Sequence, residues 1–366
     1  MTFISYSSKD RSLAEELKGV LEANGIKCWM APRDIPAGSD YGASIPRAIA
    51  DSRVFVLLLT ENSQESIWCP KELDLALSAH ATILPFHADS STLTDPFNFR
   101  LTNVQRIEAY KRLEAAFAEL VGTILSRDFV ETLTDYMPSV RPTDSDELYM
   151  VGMDYYCGRH VERDYEKALQ YVLKAIDCGL VGENRREADE LLPRLFYWAG
   201  RSYADSSNGR KDLLRRAVAC YVKSSELGDM YGTCELGRCY HRGTGVMKSQ
   251  TKAVEFASLA ASKGDFGANL DMGNYYAQGD GVEQSYAKAA EFYLRAVKMN
   301  PLAPAYNSAW ARYRAAVCYK NLERYDESLQ ECMEARALLE RTESEGAVNL
   351  KKDIDALECE LRNFLS

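Results

Sequence analysis

The sequence predicts two folds in succession: an α/β domain on a parallel sheet with helices on both faces, then an all-α solenoid of helix pairs. Three observations carry this. Up to about residue 130, short β-rich runs alternate with helical patterns, the order that builds a parallel sheet. Beyond residue 143 the strand patterns give out. In their place a 36-residue period appears: Gly237-Arg-Cys-Tyr240 returns as Gly273-Asn-Tyr-Tyr276, Gly243-Thr-Gly-Val246 as Gly279-Asp-Gly-Val282, and Lys252-Ala253 as Lys288-Ala289. A period of roughly 20–50 residues signifies stacked repeat units.

In the first part, Phe3 to Tyr6 reads as a strand and Ser12 to Asn24 as a helix with Leu13, Leu17, Val20 and Leu21 on one face. Gly25 stops that helix, and Ile26 to Met30 reads as a second strand. Ser44 to Asp51 is helical. Val54 to Leu59 is six apolar residues in a row, too short for a helix and suited to a strand buried on both faces. A helix is expected between Trp68 and His80, a strand at Ile83 to Phe86, a short fifth strand at Val104 to Ile107, and an amphipathic helix from Lys111 to Leu125. The domain is expected over 1–130, with a linker at 131–143.

In the second part, earlier copies of the repeat start at Gly152-Met-Asp-Tyr-Tyr156 and, more degenerately, at Gly200-Arg-Ser-Tyr203, offset by an insertion around Val181 to Glu190. The glycine that opens each copy would let the paired helix approach closely, and each Gly-x-Gly loop would supply a turn with positive φ. This pattern resembles the Sel1-like subclass of tetratricopeptide repeats over about 144–300. A tetratricopeptide-like pair and a C-terminal helix then follow in 301–366. Such arrays usually bind partners. Asp265-Phe266-Gly267 spells a kinase metal-binding triplet but reads as an inter-repeat turn, since it repeats Asp229-Met-Tyr-Gly232 and no phosphate loop accompanies it. Cys234, Cys239 and His241 fit no common zinc spacing and read as packed side chains. No metal site is expected.

Composition excludes several classes. The net charge is −10, with 13 basic and 17 acidic residues up to residue 130 and 31 and 37 beyond, so neither part suits a nucleic-acid backbone. The run Val54 to Leu59 falls far short of the ~20 apolar residues that span a bilayer. Met1 is followed almost at once by Phe-Ile-Ser-Tyr, with no pattern of a secretory signal. The ten dispersed cysteines read as free thiols. A cytoplasmic protein with neither membrane nor nucleic-acid partner is expected.

Open parallel sheets bind ligands beyond the carboxyl ends of their strands, where strand order reverses. In the flavodoxin-like order 2-1-3-4-5, the ends of the first three strands are neighbours. The first ends in Tyr6-Ser7-Ser8-Lys9-Asp10, hydroxyls suited to phosphate or ribose, with Lys9 and Asp10 reading as first-turn helix charges. The second ends in Trp29, before a loop from Ala31 to Tyr41 holding Arg33 and Asp34. The third is followed by Ser66-Ile-Trp68-Cys-Pro70-Lys-Glu72. If a helix is running at Trp68, Trp68 and Glu72 share a face, although Pro70 prefers the first helical positions. Two indoles, several hydroxyls and one carboxylate would then converge. One carboxylate is enough for cleaving a nicotinamide riboside bond, whose cationic leaving group departs neutral without a proton, unlike ordinary glycoside hydrolysis with its two carboxylates. From spacing alone, Glu72 reads as an exposed helix carboxylate, and the two indoles have core aromatics as their alternative reading.

The same residues carry a resemblance. Phe3-Ile-Ser-Tyr-Ser-Ser-Lys-Asp10, Cys28-Trp-Met-Ala-Pro-Arg-Asp-Ile-Pro-Ala-Gly38 and Ser66-x-Trp-Cys-x-x-Glu72 resemble the first box, the BB loop and the Trp-Cys-x-x-Glu helix of bacterial-type Toll/interleukin-1 receptor (TIR) domains, in order and over about 1–127. The resemblance implies that Glu72 is the glutamate required for NAD+ cleavage in catalytic members. It implies that Trp29 and Trp68 line the nicotinamide pocket; the hydroxyls of Tyr6, Ser7 and Ser8, read above from the strand end, would stand beside the substrate. It also implies that the loop bearing Arg33, Asp34, Ile35 and Gly38 mediates TIR–TIR self-association. NAD+ would be a substrate, no cofactor being implied. The expected function is an NAD+ glycohydrolase releasing nicotinamide and linear or cyclic ADP-ribose, activated by self-assembly. The repeats would sense a protein or ligand partner, in a setting that resembles prokaryotic anti-phage defence. The rival is a non-catalytic adaptor or scaffold, or an effector acting through TIR–TIR interactions, which needs the loop but not Glu72 or Trp68.

Overall fold

The structure is a computed structural model that describes all residues except 36–40, 136–143 and 366. Gly38 and the 136–143 part of the expected linker therefore lie outside the described residues. Contacts divide the chain into two units: 1–143 with 202–220 and 243–249, and 144–201 with 221–242 and 250–366.

In the first unit, β1 (Thr2–Ser5) leads through a 3₁₀ turn (Ser8–Asp10) into α1 (Arg11–Ala23), followed by β2 (Cys28–Trp29), α2 (Tyr41–Ala50), β3 (Val54–Leu59), α3 (Glu61–Gln64) and α4 (Cys69–Ser78). Then come β4 (Thr82–His87), α5 (Asp95–Arg100), β5 (Ile107–Glu108) and α6 (Leu113–Asp135). The strands form one sheet in the order β2-β1-β3-β4-β5 with every neighbour parallel, the flavodoxin-like order expected. All six residues of β3 are buried because both faces are covered. Val54, Val56 and Leu58 pack with Leu17, Leu21, Phe117 and Leu120 from α1 and α6. Phe55, Leu57 and Leu59 pack with Ile49, Leu73 and Phe97 from α2, α4 and α5. Within the same unit Met247 packs against the first of these clusters.

Three details differ from the sequence reading. The fifth strand sits at Ile107–Glu108 instead of starting at Val104, whose N–H closes a turn onto Leu101 O. The last helix runs ten residues past Leu125. The short helices α3 and α5 were not expected at all.

In the remaining helices, α7 (Ser145–Cys157) packs on α8 (Tyr165–Asp177), α9 (Gly182–Asp205) and α10 (Lys211–Glu226) follow, and then α11 (Met230–Arg242) packs on α12 (Gln250–Ser262), α13 (Phe266–Gln278) on α14 (Tyr286–Met299), α15 (Ala305–Asn321) on α16 (Tyr325–Leu339), and α16 on α17 (Glu345–Leu365). Residues 182–190 of the expected insertion are the first turns of α9, which reaches 24 residues. The recurring glycine has the steric role expected of it. A Cβ on Gly237 would stand 3.3 Å from Ala253 O, and one on Gly273 would stand 2.5 Å from the Tyr293 ring. Asp265 is the N-cap of α13, accepting from Ala268 N, so the kinase-like triplet is a helix start. The three would-be metal ligands are engaged separately: Cys234 Sγ with Asp271, His241 Nδ1 with Gln250 Oε1 at 2.9 Å, and Cys239 buried in α11. No helix among the described residues is long and apolar enough to cross a membrane.

Candidate active site

The carboxyl ends of β1 and β3 are fastened to each other before any ligand is considered. Asp10 stands at the start of α1, as expected of a helix-start charge, and also accepts hydrogen bonds from Thr60 Oγ1 at 2.6 Å and Asn62 Nδ2 at 2.7 Å, so it bridges the segments after the two strands. Thr60 also caps α3 through a reciprocal box with Ser63. At the next helix, Ser66 Oγ accepts from Trp68 N and Cys69 N. Trp68 is the N-cap of α4 and Pro70 its second residue, where the missing N–H costs nothing. Pro70 therefore leaves the spacing intact: Glu72 N donates to Trp68 O at 2.9 Å.

Parity along β1 decides what Glu72 meets. Ser5 shares its sheet face with Phe3, the face covered by α2 and α4. Its hydroxyl donates to Glu72 Oε2 at 2.6 Å, with both groups buried. Glu72 is 8% exposed, so it is not a solvated helix carboxylate. Burial pushes its carboxyl above the usual glutamate range, and the Ser5 hydrogen bond partly offsets this. The N-terminus of α4 also favours the ionised form. Burial raises the neighbouring Cys69 thiol to about 11, so it stays protonated at neutral pH.

Glu72 opens on a cavity of about 460 Å³, within the range of small-molecule sites. Its described lining includes Tyr6, Ser8, Ala31, Pro32, Gly42, Ile45, Ser66 and Trp68, with Glu72 the one carboxylate among them. Tyr6 Oη donates to Ala31 O at 2.6 Å, holding the start of the 31–41 loop against β1. Trp68 is 64% exposed, with Lys71 Nζ 5.1 Å from its ring centroid.

Three anticipated residues fall elsewhere. Trp29 is absent from the described lining. Its register opposite Phe3 puts it on the sheet face, where Trp29, Phe3 and Phe55 stack with centroids 5.0 and 5.4 Å apart. Ser7 is buried at the start of the 3₁₀ turn and does not line the cavity. Asp34 points inward: it accepts from Met30 N and from Lys18, a lysine only 2% exposed. Among the described residues of the loop Arg33 is the exposed charge, and Ile35 is half-buried. Ser5, Ser66, Gly42 and Ile45 were missed by sequence reasoning.

Family models match both parts of the chain. The family model for the TIR domain matches residues 2–121. That for the Sel1 repeat matches 148–180, 196–229, 231–265 and 267–301. A Toll-like receptor 4 from Pinctada imbricata is 33% identical over 75 residues, a stretch covering 20% of this chain and 8% of the receptor. Among solved structures, a Sel1 repeat protein from Oxalobacter formigenes is 21% identical, covering 64% of this chain and 95% of its own, with a TM-score of 0.38. The protective antigen c5321 of uropathogenic Escherichia coli, which displays an SLR fold, is 19% identical, covering 68% of this chain and 55% of its own, with a TM-score of 0.39. This chain is thus a TIR domain protein with C-terminal Sel1 repeats.

Proposed function

We propose that the TIR domain cleaves NAD+ at its nicotinamide riboside bond, with Glu72 as the catalytic carboxylate. The observation that carries this reading is the buried Glu72 carboxylate, held by Ser5 and facing a cavity at the carboxyl ends of a parallel sheet. Burying a carboxylate costs stability, and a docking surface has no use for one, so the adaptor reading leaves Glu72 unexplained. Positive charge that develops on the ribose as the bond breaks would be stabilised by the ionised carboxylate, more strongly in a water-poor site than in solvent. Nicotinamide leaves neutral, so no second acid is required. The exposed face of Trp68 suits a flat cationic ring, and Tyr6 and Ser8 offer hydroxyls to ribose or phosphate.

TIR–TIR association through the 31–41 loop would activate the enzyme, with partners on the Sel1 repeats raising the local concentration, in a role resembling anti-phage immunity. The test is nicotinamide release by the full chain across a concentration series. Release that rises faster than linearly with protein supports assembly. Strictly linear release through the range where oligomers form contradicts it.

A further inference from the structure

The second unit contains a feature that the cleavage reading does not use. A groove of about 1100 Å³ runs among α14, α15 and α16, larger than most small-molecule pockets and open to solvent. One wall is a single face of α14, where Glu291, Leu294, Arg295 and Lys298 follow at helical spacing. The other walls carry Arg312, Tyr319, Arg324 and Glu331, so four cations meet two carboxylates.

The cations differ in how they are engaged. Arg312 is matched by Glu331 at 2.6 Å and Glu334 at 2.7 Å. Arg324 pairs with Glu327 and lies 4.7 Å from the Tyr319 ring centroid. On the α14 wall, Arg295 Nε meets only the sulfur of Met299, at 3.3 Å, and no described carboxylate pairs with Arg295 or Lys298. Apolar surface adjoins these two charges: Met299 is 44% exposed, and Leu302, next to the lining Pro301, is almost wholly so. The chain as a whole carries −10, so Arg295 and Lys298, without a described carboxylate partner, are a local exception that complements acidic groups at short range.

We propose that this groove docks an acidic peptide segment of a partner protein, its carboxylates meeting Arg295 and Lys298 and its interleaved aliphatic side chains covering Leu294 and Met299. The inference is independent of NAD+ cleavage.

The probe is a fluorescein-labelled dodecapeptide of Asp-Leu-Glu-Ser repeated three times, set beside its Asn-Leu-Gln-Ser counterpart. Each is titrated with the full-length protein by anisotropy at low and moderate salt. The acidic peptide should bind at least tenfold more tightly than its neutral counterpart, with affinity falling as salt rises. Arg295→Glu with Lys298→Glu should weaken it at least tenfold, and the corresponding double glutamine variant should lie between. Lys352→Glu, an exposed change on α17, should leave it unaltered. Circular dichroism monitors folding, and the glutamine pair serves if the reversed pair unfolds. No binding of the acidic peptide, equal binding of the neutral one, or affinity unmoved by the α14 substitutions would overturn the proposal. So would sedimentation showing that the wild type dimerises and the reversed pair does not.

Discussion

Replacing Ser5 with alanine removes one oxygen from a buried strand and should be felt as a change in the pH dependence of catalysis. The Ser5 hydroxyl donates to Glu72 Oε2 at 2.6 Å, a short bond to a charged acceptor in a site that water reaches poorly. Hydrogen bonds to ionised groups contribute about 1.5–3 kcal/mol. This bond, together with the N-terminus of α4, opposes the burial that disfavours the ionised carboxyl. Without it the ionised form loses that preference, and kcat/KM at mildly acidic pH should fall by a factor of roughly 10 to 150, at about 1.4 kcal/mol per tenfold. The loss should shrink as pH rises, because Glu72 then ionises in both proteins. The assay is nicotinamide release from NAD+ by the full chain between pH 4.5 and 9. The wild type should show an acidic limb above the ordinary glutamate value of 4.5, and Ser5→Ala a limb displaced further upward. Ser5→Thr, which keeps the donor, should restore the profile. A uniform loss at every pH, or an unmoved limb, would refute the claim that Ser5 sets the charge state of Glu72.

Other expected outcomes rest on separate contacts. Glu72→Gln should raise thermal stability at pH 7 but not near pH 4. Burial raises the native carboxyl above its unfolded value, so the wild type is uncompromised below about 4.5 and loses stability as pH rises through the native value. Equal melting shifts at both pH values would contradict this. Asp34→Ala takes the nearest partner from buried Lys18 and leaves it Glu22 Oε1 at 3.6 Å, so it should cost about 1.5–3 kcal/mol in chemical denaturation, whereas Lys18→Met combined with Asp34→Leu should recover most of it. Gly273→Ala would drive a Cβ to 2.5 Å from the Tyr293 ring and should cost about 1–3 kcal/mol. Gly19→Ala on α1 meets nothing within 4 Å and should gain up to about 1 kcal/mol by calorimetry.

Much of this architecture is legible in the sequence because it rests on local periodicity. The apolar run Val54–Leu59 can only be a doubly covered strand, and the 36-residue recurrence of Gly237 as Gly273 marks where helices touch. What escaped was set by register and by contacts distant in sequence. Trp29 ends its strand as expected, but nothing local states that it lies opposite Phe3, and that pairing turns the indole onto the sheet. Ser5 sits in an apolar strand with no signal of its own; its importance appears only when α4 brings Glu72 over it, 67 residues later. Lys18 occupies a position on α1 that charge alone assigns to solvent, and Asp34 and Glu22 make its burial tolerable. The helices α3 and α5, at four and six residues, are too short for any period to show.

The central claim is that Glu72 acts on NAD+ within the β1–α4 cavity. Its most direct test incubates full-length wild type and Glu72→Gln with NAD+ at the highest attainable protein concentration. Nicotinamide is quantified and the companion product weighed by mass spectrometry, with melting recorded on the same samples. The account predicts nicotinamide and an ADP-ribose product from the wild type, and none from a Glu72→Gln protein that melts no lower. Undiminished release by Glu72→Gln, or no release from a folded and oligomeric wild type, would contradict it.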